Sequence, residues 1–189
     1  MATPKLNAVR INAGEWRSRV IKFPDSVGLR PTPERVRQTV FNWLGQDLTG
    51  LTCLDLFAGT GVMGFEALSR GALSATLVEN STPAYQALME NKQLLIAEQA
   101  QIYHQDALKF LSRNTEKFNL VFLDPPYHQQ WLAKTLPLVA EHLHPDAYVY
   151  VEAEYALATD AALAEKWQVV KQSKAGNVFY HLLKLAHDE

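Results

Sequence analysis

The chain has 189 residues, of which 48% are hydrophobic and 20% charged, and its formal net charge at pH 7 is −2. These values are typical of a single globular domain and exclude an intrinsically disordered chain. No apolar run reaches the roughly 18 residues that span a bilayer, and the opening stretch "MATPKLNAVR" lacks the apolar core of a secretion signal. We therefore expect a cytoplasmic protein without a membrane partner.

Positive charge is concentrated near the N-terminus. Residues 1–40 contain eight Lys or Arg residues and three acids, which gives a net charge of +5. Residues 41–189 contain ten Lys or Arg residues and seventeen acids, which gives a net charge of −7. A basic segment joined to an acidic body favours an anionic partner, of which nucleic acid is the commonest. A solvated basic face without a partner is the alternative.

The basic segment also shows the patterns of ordered structure. The stretch "VRINAGEWRSRVIKFP" has short apolar runs around Asn-Ala-Gly and predicts a β-hairpin or two small strands. Farther on, Thr32 is a candidate helix N-cap, Pro33 suits the first helical position and Gly45 is a plausible stop. We expect residues 1–45 to form an extension and residues 46–189 to form the main domain.

The helix predicted in this extension is amphipathic, with an apolar face and a polar, basic face. The apolar face carries Val36, Val40, Trp43 and Leu44, and the polar face carries Arg35, Arg37, Gln38 and Asn42.

From residue 51 onward, strand-like apolar runs alternate with helical patterns. The runs are "TCLDLF", "SATLVE", "QIYHQD", "NLVFLD" and "AYVYVEAE", the last followed by the helical "LATDAALAEK". Such alternation predicts an α/β protein with a parallel sheet covered by helices on both faces. The ending "WQVVKQSKAGNVFYHLLKL" leaves no room for a helix and predicts an antiparallel hairpin that closes one edge of the sheet.

Cysteine and histidine indicate neither a disulfide nor a metal site. The single cysteine, Cys53, lies in an apolar strand-like run and is interpreted as a buried structural thiol in preference to a reactive one. The six histidines are scattered, without the cysteine partners or helical pairs that metal sites use. We expect no bound metal.

A glycine-rich turn follows the first strand of the main domain. In "LDLFAGTGVMG", Gly59, Gly61 and Gly64 have G-x-G-x-x-G spacing between a strand and a helix, where glycines let a ligand approach the backbone. Glu79 ends the next strand, twenty residues after Gly59, where an acid can accept both hydroxyls of a ribose. This predicts an adenine nucleoside cofactor, and both NAD and S-adenosylmethionine fit. A tight turn without a ligand is the alternative.

Two further acids lie at strand ends. Asp106 is placed to bond the exocyclic amine of an adenine or to cap the following helix, and the two roles are compatible. Asp55 precedes the glycine turn, where it could hold the cationic amino-acid end of S-adenosylmethionine or fix the loop.

The motif "DPPY" ends the strand-like run "NLVFLD". Ligands of such sheets bind beyond the carboxyl ends of the strands, so Asp124 to Tyr127 should face the reactive end of the cofactor. Asp124 and the Pro125 carbonyl are spaced to accept the two N–H groups of an exocyclic amine, and Tyr127 offers a face for a base. The alternative is a rigid turn with an N-capping acid.

These residues carry a resemblance to a known family. "DLFAGTG" followed by "DPPY" resembles class I S-adenosylmethionine-dependent methyltransferases that methylate amino groups. With "RINAGEWRSR", "GLRPTPERVRQTVFNWL" and "LVE", nearly the whole chain is similar to the RsmD-type family of 16S ribosomal RNA guanine-N2 methyltransferases. The resemblance implies a Rossmann-like, seven-stranded fold, S-adenosylmethionine as the donor, and one guanine of 16S ribosomal RNA, recognised within the 30S particle, as the substrate.

The resemblance also implies three groups of site residues and, by default, a monomer. The catalytic residues would be Asp124, Pro125 and Tyr127. The cofactor would be bound by Asp55, Phe57, Gly59, Gly61, Glu79 and Asp106. The phosphates of the RNA would be bound by five arginines of the extension, Arg10, Arg17, Arg30, Arg35 and Arg37.

Three other functions fit parts of the sequence. An amino-methyltransferase acting on adenine or cytosine of DNA, on another RNA or on a protein glutamine would use the same "DPPY". An NAD-dependent dehydrogenase explains the glycine turn and gives "DPPY" no role. A non-catalytic RNA-binding assembly factor would keep the cofactor pocket without needing Asp124.

Overall fold

The computed structural model describes residues 5–25, 29–127 and 130–187. The parts of the predicted extension at 1–4 and 26–28 lie outside these ranges. The described strands are β1 (Leu6–Arg10), β2 (Val20–Pro24), β3 (Thr52–Asp55), β4 (Ser74–Glu79), β5 (Ala100–His104), β6 (Phe118–Leu123), β7 (Leu143–Ala153), β8 (Trp167–Ala175) and β9 (Val178–Leu185). The helices are α1 (Glu34–Trp43), α2 (Val62–Ser69), α3 (Thr82–Leu95), α4 (Ala107–Arg113), α5 (Trp131–Ala140) and α6 (Ala161–Ala164).

The main sheet has seven strands in the order β5-β4-β3-β6-β7-β9-β8. Strands β3 to β7 run parallel, and β9 is antiparallel to both of its neighbours. The α/β prediction with a C-terminal antiparallel hairpin is confirmed, as is the predicted N-terminal hairpin, in which β1 pairs with β2. The strand order reverses between β3 and β6, and this is where sheets of this type bind ligands.

Helices cover both faces of the sheet, which is why its central strands are apolar on both sides. Alternate residues point to opposite faces: Cys53 belongs to a cluster with α2 and α3, and Leu54 belongs to a cluster with α4 and α5. Cys53 is buried, and burial raises the pKa of its thiol to about 12. The interpretation of Cys53 as a structural thiol is confirmed, because such a thiol is protonated at neutral pH.

Helix α1 differs from its prediction at the N-terminus. Glu34 is the first helical residue, and Pro33 occupies the N-cap position with extended backbone angles. Thr32 is therefore not the cap, and its hydroxyl donates a 3.5 Å hydrogen bond to Glu152 of β7 instead. The helix ends close to the predicted stop, since Gly45 follows its C-cap with a φ of +89°.

The N-terminal extension packs on the main sheet through α2. Its apolar side chains, including Ile21, Val40 and Phe41, belong to the same buried cluster as α2 and α3. The Glu66 carboxylate of α2 also accepts hydrogen bonds from the backbone N–H groups of Asn12 and Ala13, at 2.9 and 3.1 Å. The division at residue 45 stays a prediction, and the shared core ties the extension closely to the remainder.

The helices in the described part of the chain are too short or too polar to cross a membrane.

Candidate active site

The glycine turn joins β3 to α2 with a backbone that only glycine adopts easily. Gly59 has a φ of +55° and Gly61 a φ of +81°, and the Gly61 N–H donates to the Ala58 carbonyl at 2.7 Å. A Cβ atom on Gly61 would lie 2.4 Å from a Leu88 methyl group. The turn therefore requires glycine for its backbone shape and for its contact with α3.

Asp55 lies at the carboxyl end of β3, beneath this turn. It is 4% exposed, and its Oδ2 accepts the Gly64 N–H at 3.2 Å, which fixes the start of α2 relative to the strand. Burial raises the pKa of Asp55 to about 7, with a further increase from the Glu79 carboxylate and a partial decrease from the Gly64 hydrogen bond. Of the two roles predicted for Asp55, fixing the loop is confirmed, and holding a cation stays a prediction.

Glu79 and Asp106 lie on the other side of the turn. Glu79 ends β4, and its two carboxylate oxygens accept the N–H groups of Gly59 at 2.7 Å and Ser81 at 2.9 Å. Asp106 caps α4 by accepting the Lys109 N–H at 3.1 Å, so the capping role is confirmed. Each carboxylate oxygen can accept a second hydrogen bond, so both acids fit the hydroxyl and amine donors of an adenine nucleoside.

Asp124 follows β6, the strand next to β3 in the sheet. The register pairs Asp55 with Phe122, so the "DPPY" motif begins beside the glycine turn, as predicted. Asp124 is half-buried, and its carboxyl group interacts with the carboxyl group of Glu152. Burial, followed by the Glu152 and Asp55 carboxylates, raises the pKa of Asp124 well above its usual range.

Tyr127, at the end of the motif, is 44% exposed and so can offer a ring face to a ligand. Burial of part of the side chain and the acids at Glu152, Asp124 and Glu154 raise the pKa of Tyr127 to about 12. The phenol is therefore neutral at physiological pH.

Two residues that neighbour the predicted site residues were not identified from the sequence. Glu152 is 8% exposed on β7, and Tyr150 donates a 2.6 Å hydrogen bond to it. Trp131 begins α5 and contacts Phe57 edge-on, with ring centroids 5.4 Å apart. An acid within the apolar run "AYVYVEAE" was the signal for Glu152; the sequence had no comparable signal for Trp131.

The structure separates one of the five predicted phosphate-binding arginines from the others. Arg10, Arg17, Arg30 and Arg35 are exposed. Arg37 is 2% exposed, donates hydrogen bonds to the Thr32 and Arg10 carbonyl oxygens, and lies 3.6 Å from Glu66. Its predicted role in RNA binding is wrong, because the side chain is buried and its guanidinium group interacts with α2 and with the hairpin backbone.

The predicted acids at the strand ends lie with the glycine turn at the edge formed by the carboxyl ends of the parallel strands. Backbone and side-chain hydrogen bonds connect Glu79 to the glycine turn and to Gln105, next to Asp106. Among the described residues, no group of three or more His, Cys, Asp or Glu side chains could hold a metal ion. His128 lies outside the described residues, and the absence of a metal stays a prediction.

Fold and site together define the class I methyltransferase architecture. A structure from Thermus thermophilus, the 16S rRNA N2 G1207 methyltransferase RsmC in complex with AdoMet and guanosine, shares this fold with a TM-score of 0.72 at 19% identity, over 96% of this chain and 50% of its own. The yhhF protein from Escherichia coli has a TM-score of 0.83 at 38% identity, over 96% of this chain and 100% of its own.

The sequence comparisons define the family. The family described as Conserved hypothetical protein 95 matches residues 9–184. Ribosomal RNA small subunit methyltransferase D is 40% identical over 176 residues in Escherichia coli K12, covering 92% of this chain and 88% of the relative. The protein of that name in Haemophilus influenzae is 42% identical over 182 residues, covering 92% of each chain. The chain belongs to this family of RsmD-type ribosomal RNA methyltransferases.

Proposed function

We propose that the protein transfers a methyl group from S-adenosylmethionine to the exocyclic N2 amine of one guanine in 16S ribosomal RNA, within the 30S particle. The observation that carries the proposal is that Asp124 and Pro125 directly follow β6, the strand that pairs with β3 beside the glycine turn. The ribosomal RNA small subunit methyltransferase relatives support RNA as the substrate class. We also propose that the protein acts as a monomer in the cytoplasm.

The acids around the glycine turn suit the parts of S-adenosylmethionine. Glu79 would accept the ribose hydroxyls, and Asp106 would accept the adenine amine through the oxygen that does not cap α4. Asp55 would attract the cationic amino-acid end, and Phe57 would contact the cofactor from the end of β3. When bound there, the cofactor supplies a methyl group on a positively charged sulfur.

Asp124 and Pro125 would prepare the target amine. The lone pair of a guanine N2 amine is delocalised into the ring, so the amine is a poor nucleophile. Two acceptors on its N–H groups turn the lone pair out of the ring plane and stabilise the positive charge that develops on nitrogen. Methyl transfer would form a bond from this nitrogen to the methyl carbon and break the carbon–sulfur bond, whose electrons would stay on sulfur, and the nitrogen would pass one proton to solvent water.

Tyr127 and the backbone of the motif would hold the base in place. A base stacked on an aromatic ring gains about 1–3 kcal/mol, and the exposed ring of Tyr127 is suited to this. Proximity and orientation of two reactants can lower a barrier by about 7–11 kcal/mol. Pro125 and Pro126 fix the backbone and keep the Pro125 carbonyl outside the sheet pairing.

The exposed arginines of the extension would bind RNA phosphates. Arg10, Arg17, Arg30 and Arg35 are exposed on the segment whose net charge is positive. Phosphate contacts of this kind give affinity that falls with salt and carries no base specificity.

The test is transfer of labelled methyl to purified 30S particles that lack the modification, beside bare 16S RNA and duplex DNA. We expect label in N2-methylguanosine after digestion of the 30S RNA. Asp124→Ala should lower kcat on the order of 100-fold or more, because a preorganised acceptor is lost. Glu90→Gln, on the exposed face of α3, serves as the control and should leave turnover unchanged.

Two results would contradict the proposal. Label on DNA, and none on either form of the RNA, would reassign the substrate. Absence of label on every substrate, together with equal RNA binding by the wild type and Asp124→Ala, would favour a non-catalytic assembly factor.

A further inference from the structure

Asp124 and Glu152 lie side by side on neighbouring parallel strands. Leu123 pairs with Val151 in the β6–β7 register, so the next residue on each strand meets its neighbour across the sheet. The two carboxyl groups are therefore neighbours whose charges interact. An ionised carboxylate has no donor, so a hydrogen bond between two carboxyl groups requires a proton on one of them.

Within the described residues, the groups around the pair are hydroxyls and acids. Tyr150 donates to Glu152 at 2.6 Å and Thr32 donates to it at 3.5 Å, and Glu152 is 8% exposed. The titratable groups near the pair include Asp55, Tyr127, Glu154 and Tyr180, the last paired with Glu152 in the β7–β9 register. Among the described residues, Lys and Arg form no ion pair with either carboxyl.

The closeness of the two carboxyl groups favours a state in which they share one proton. Two ionised carboxylates in a buried site repel each other strongly, so one of them keeps its proton. The raised pKa of Asp124, caused by burial and by the Glu152 charge, agrees with this arrangement.

We propose that Glu152 is a positioning residue for methyl transfer: it shares a proton with Asp124, holds one Asp124 oxygen, and leaves the other oxygen to accept the target amine. The proposal rests on the proposed function of Asp124. With one proton, the pair carries a single negative charge, which matches the single positive charge that develops on the amine nitrogen. Loss of that proton would leave two negatively charged carboxylates side by side. Their repulsion would move the Asp124 side chain away from its position.

Three variants separate this role from a structural one. Glu152→Gln keeps the size of the side chain and replaces the shared proton with an amide N–H donor. Glu152→Ala removes the support, and Glu90→Gln is an exposed control. Binding of S-adenosylhomocysteine by calorimetry and thermal unfolding establish that each variant is folded.

The first measurement is an NMR titration of isotope-labelled carboxyl carbons in the free protein, with Asp124→Asn used to assign the Asp124 signal. In the wild type we expect Asp124 to titrate at a pH higher by about one unit or more than in Glu152→Gln, because removing the neighbouring charge favours ionisation. The same titration pH in both proteins would overturn the proposal.

The second measurement is the pH dependence of methylation of 30S particles. We expect wild-type kcat to fall on the alkaline side as the pair loses its proton, and Glu152→Gln to keep its activity to higher pH. Glu152→Ala should lower kcat on the order of tenfold or more at every pH, because a misplaced Asp124 loses the geometry of transfer. Coincident profiles for the wild type and Glu152→Gln would overturn the proposal.

The two measurements separate failure of this proposal from failure of the proposed function. A wild-type protein that methylates no RNA, with the expected difference in titration, would overturn the proposed function and leave the pairing of Asp124 with Glu152 established. A wild-type protein that methylates RNA, without that difference, would overturn the role of Glu152.

Discussion

At the scale of single residues, the site concentrates acids that have limited contact with water. Asp55, Asp124 and Glu152 lie on the adjacent strands β3, β6 and β7, or directly after one of them. Burial disfavours the charged form of a carboxyl group. Such a cluster is expensive for folding and so indicates a functional role.

Asp55 gives a prediction about stability and pH. Its folded-state pKa of about 7 lies above its usual value of 3.8, so the folded protein binds a proton that the unfolded chain has released. Stability from this group is present at low pH and is lost as pH rises from about 4 to about 7, by up to about 4 kcal/mol. Urea unfolding should therefore show wild-type stability falling relative to Asp55→Asn over this range. A constant difference would contradict the raised pKa.

Arg35 and Arg37 form a matched pair on one helix, one exposed and one buried. Arg37→Ala leaves the Glu66 carboxylate with one cation fewer in a buried site and should lower the free energy of unfolding by about 3–5 kcal/mol. Arg35→Ala should change stability by less than about 0.5 kcal/mol. It should also lower the slope of log RNA affinity against log salt by about one, because one phosphate contact is lost. Equal loss of stability in both variants would contradict this assignment.

At the scale of elements, the turn between β3 and α2 depends on steric contact with α3. Gly61→Ala places a methyl group 2.4 Å from Leu88 and 2.8 Å from the Phe65 ring, at a φ of +81°. Gly45 has a similar φ of +89°, and a Cβ atom there meets nothing within 4 Å. Gly45→Ala therefore measures the cost of the backbone conformation alone.

We expect Gly45→Ala to cost about 1 kcal/mol, and Gly61→Ala to cost a further 1–3 kcal/mol or so from overpacking. Chemical denaturation of both variants measures the difference. Gly61→Ala should also weaken binding of S-adenosylhomocysteine, because the turn shifts. An equal loss of stability in the two variants would show that α3 moves to accommodate the added methyl group without strain.

At the scale of the whole molecule, the extension is joined to the sheet by a buried charge network and a shared core. Glu66 accepts bonds from Arg70 at 2.9 Å and from the hairpin backbone, and Arg37 lies on its other side. Residues 46–189 expressed alone would expose the apolar surface that Ile21, Val40 and Phe41 cover. We expect this fragment to lack a cooperative thermal unfolding transition, measured by circular dichroism. A cooperative transition would show that the boundary at residue 45 separates independent domains.

The sequence alone was sufficient for the architecture and for the acids around the glycine turn. Strand and helix periodicity, glycine spacing and acids at strand ends are local patterns, and parallel strands bring their carboxyl ends to one edge. These patterns are enough to place Asp55, Glu79, Asp106 and Asp124 near one another. They are not enough to place the start of α1, because Thr32 finds its hydrogen-bond partner 120 residues away.

Tertiary structure decided the features that depend on register and on competition for partners. Glu152 lies beside Asp124 because β6 and β7 pair in one register, and a shift of one residue would place it on the other face. Arg37 occupies a polar position of its helix and is nevertheless buried, because Glu66 and two carbonyl oxygens compensate the loss of water. The sequence by itself determined which elements form and which strands end in acids. Only the folded chain determined which acids lie side by side and which arginines are exposed, because those features depend on distances between residues far apart in the chain.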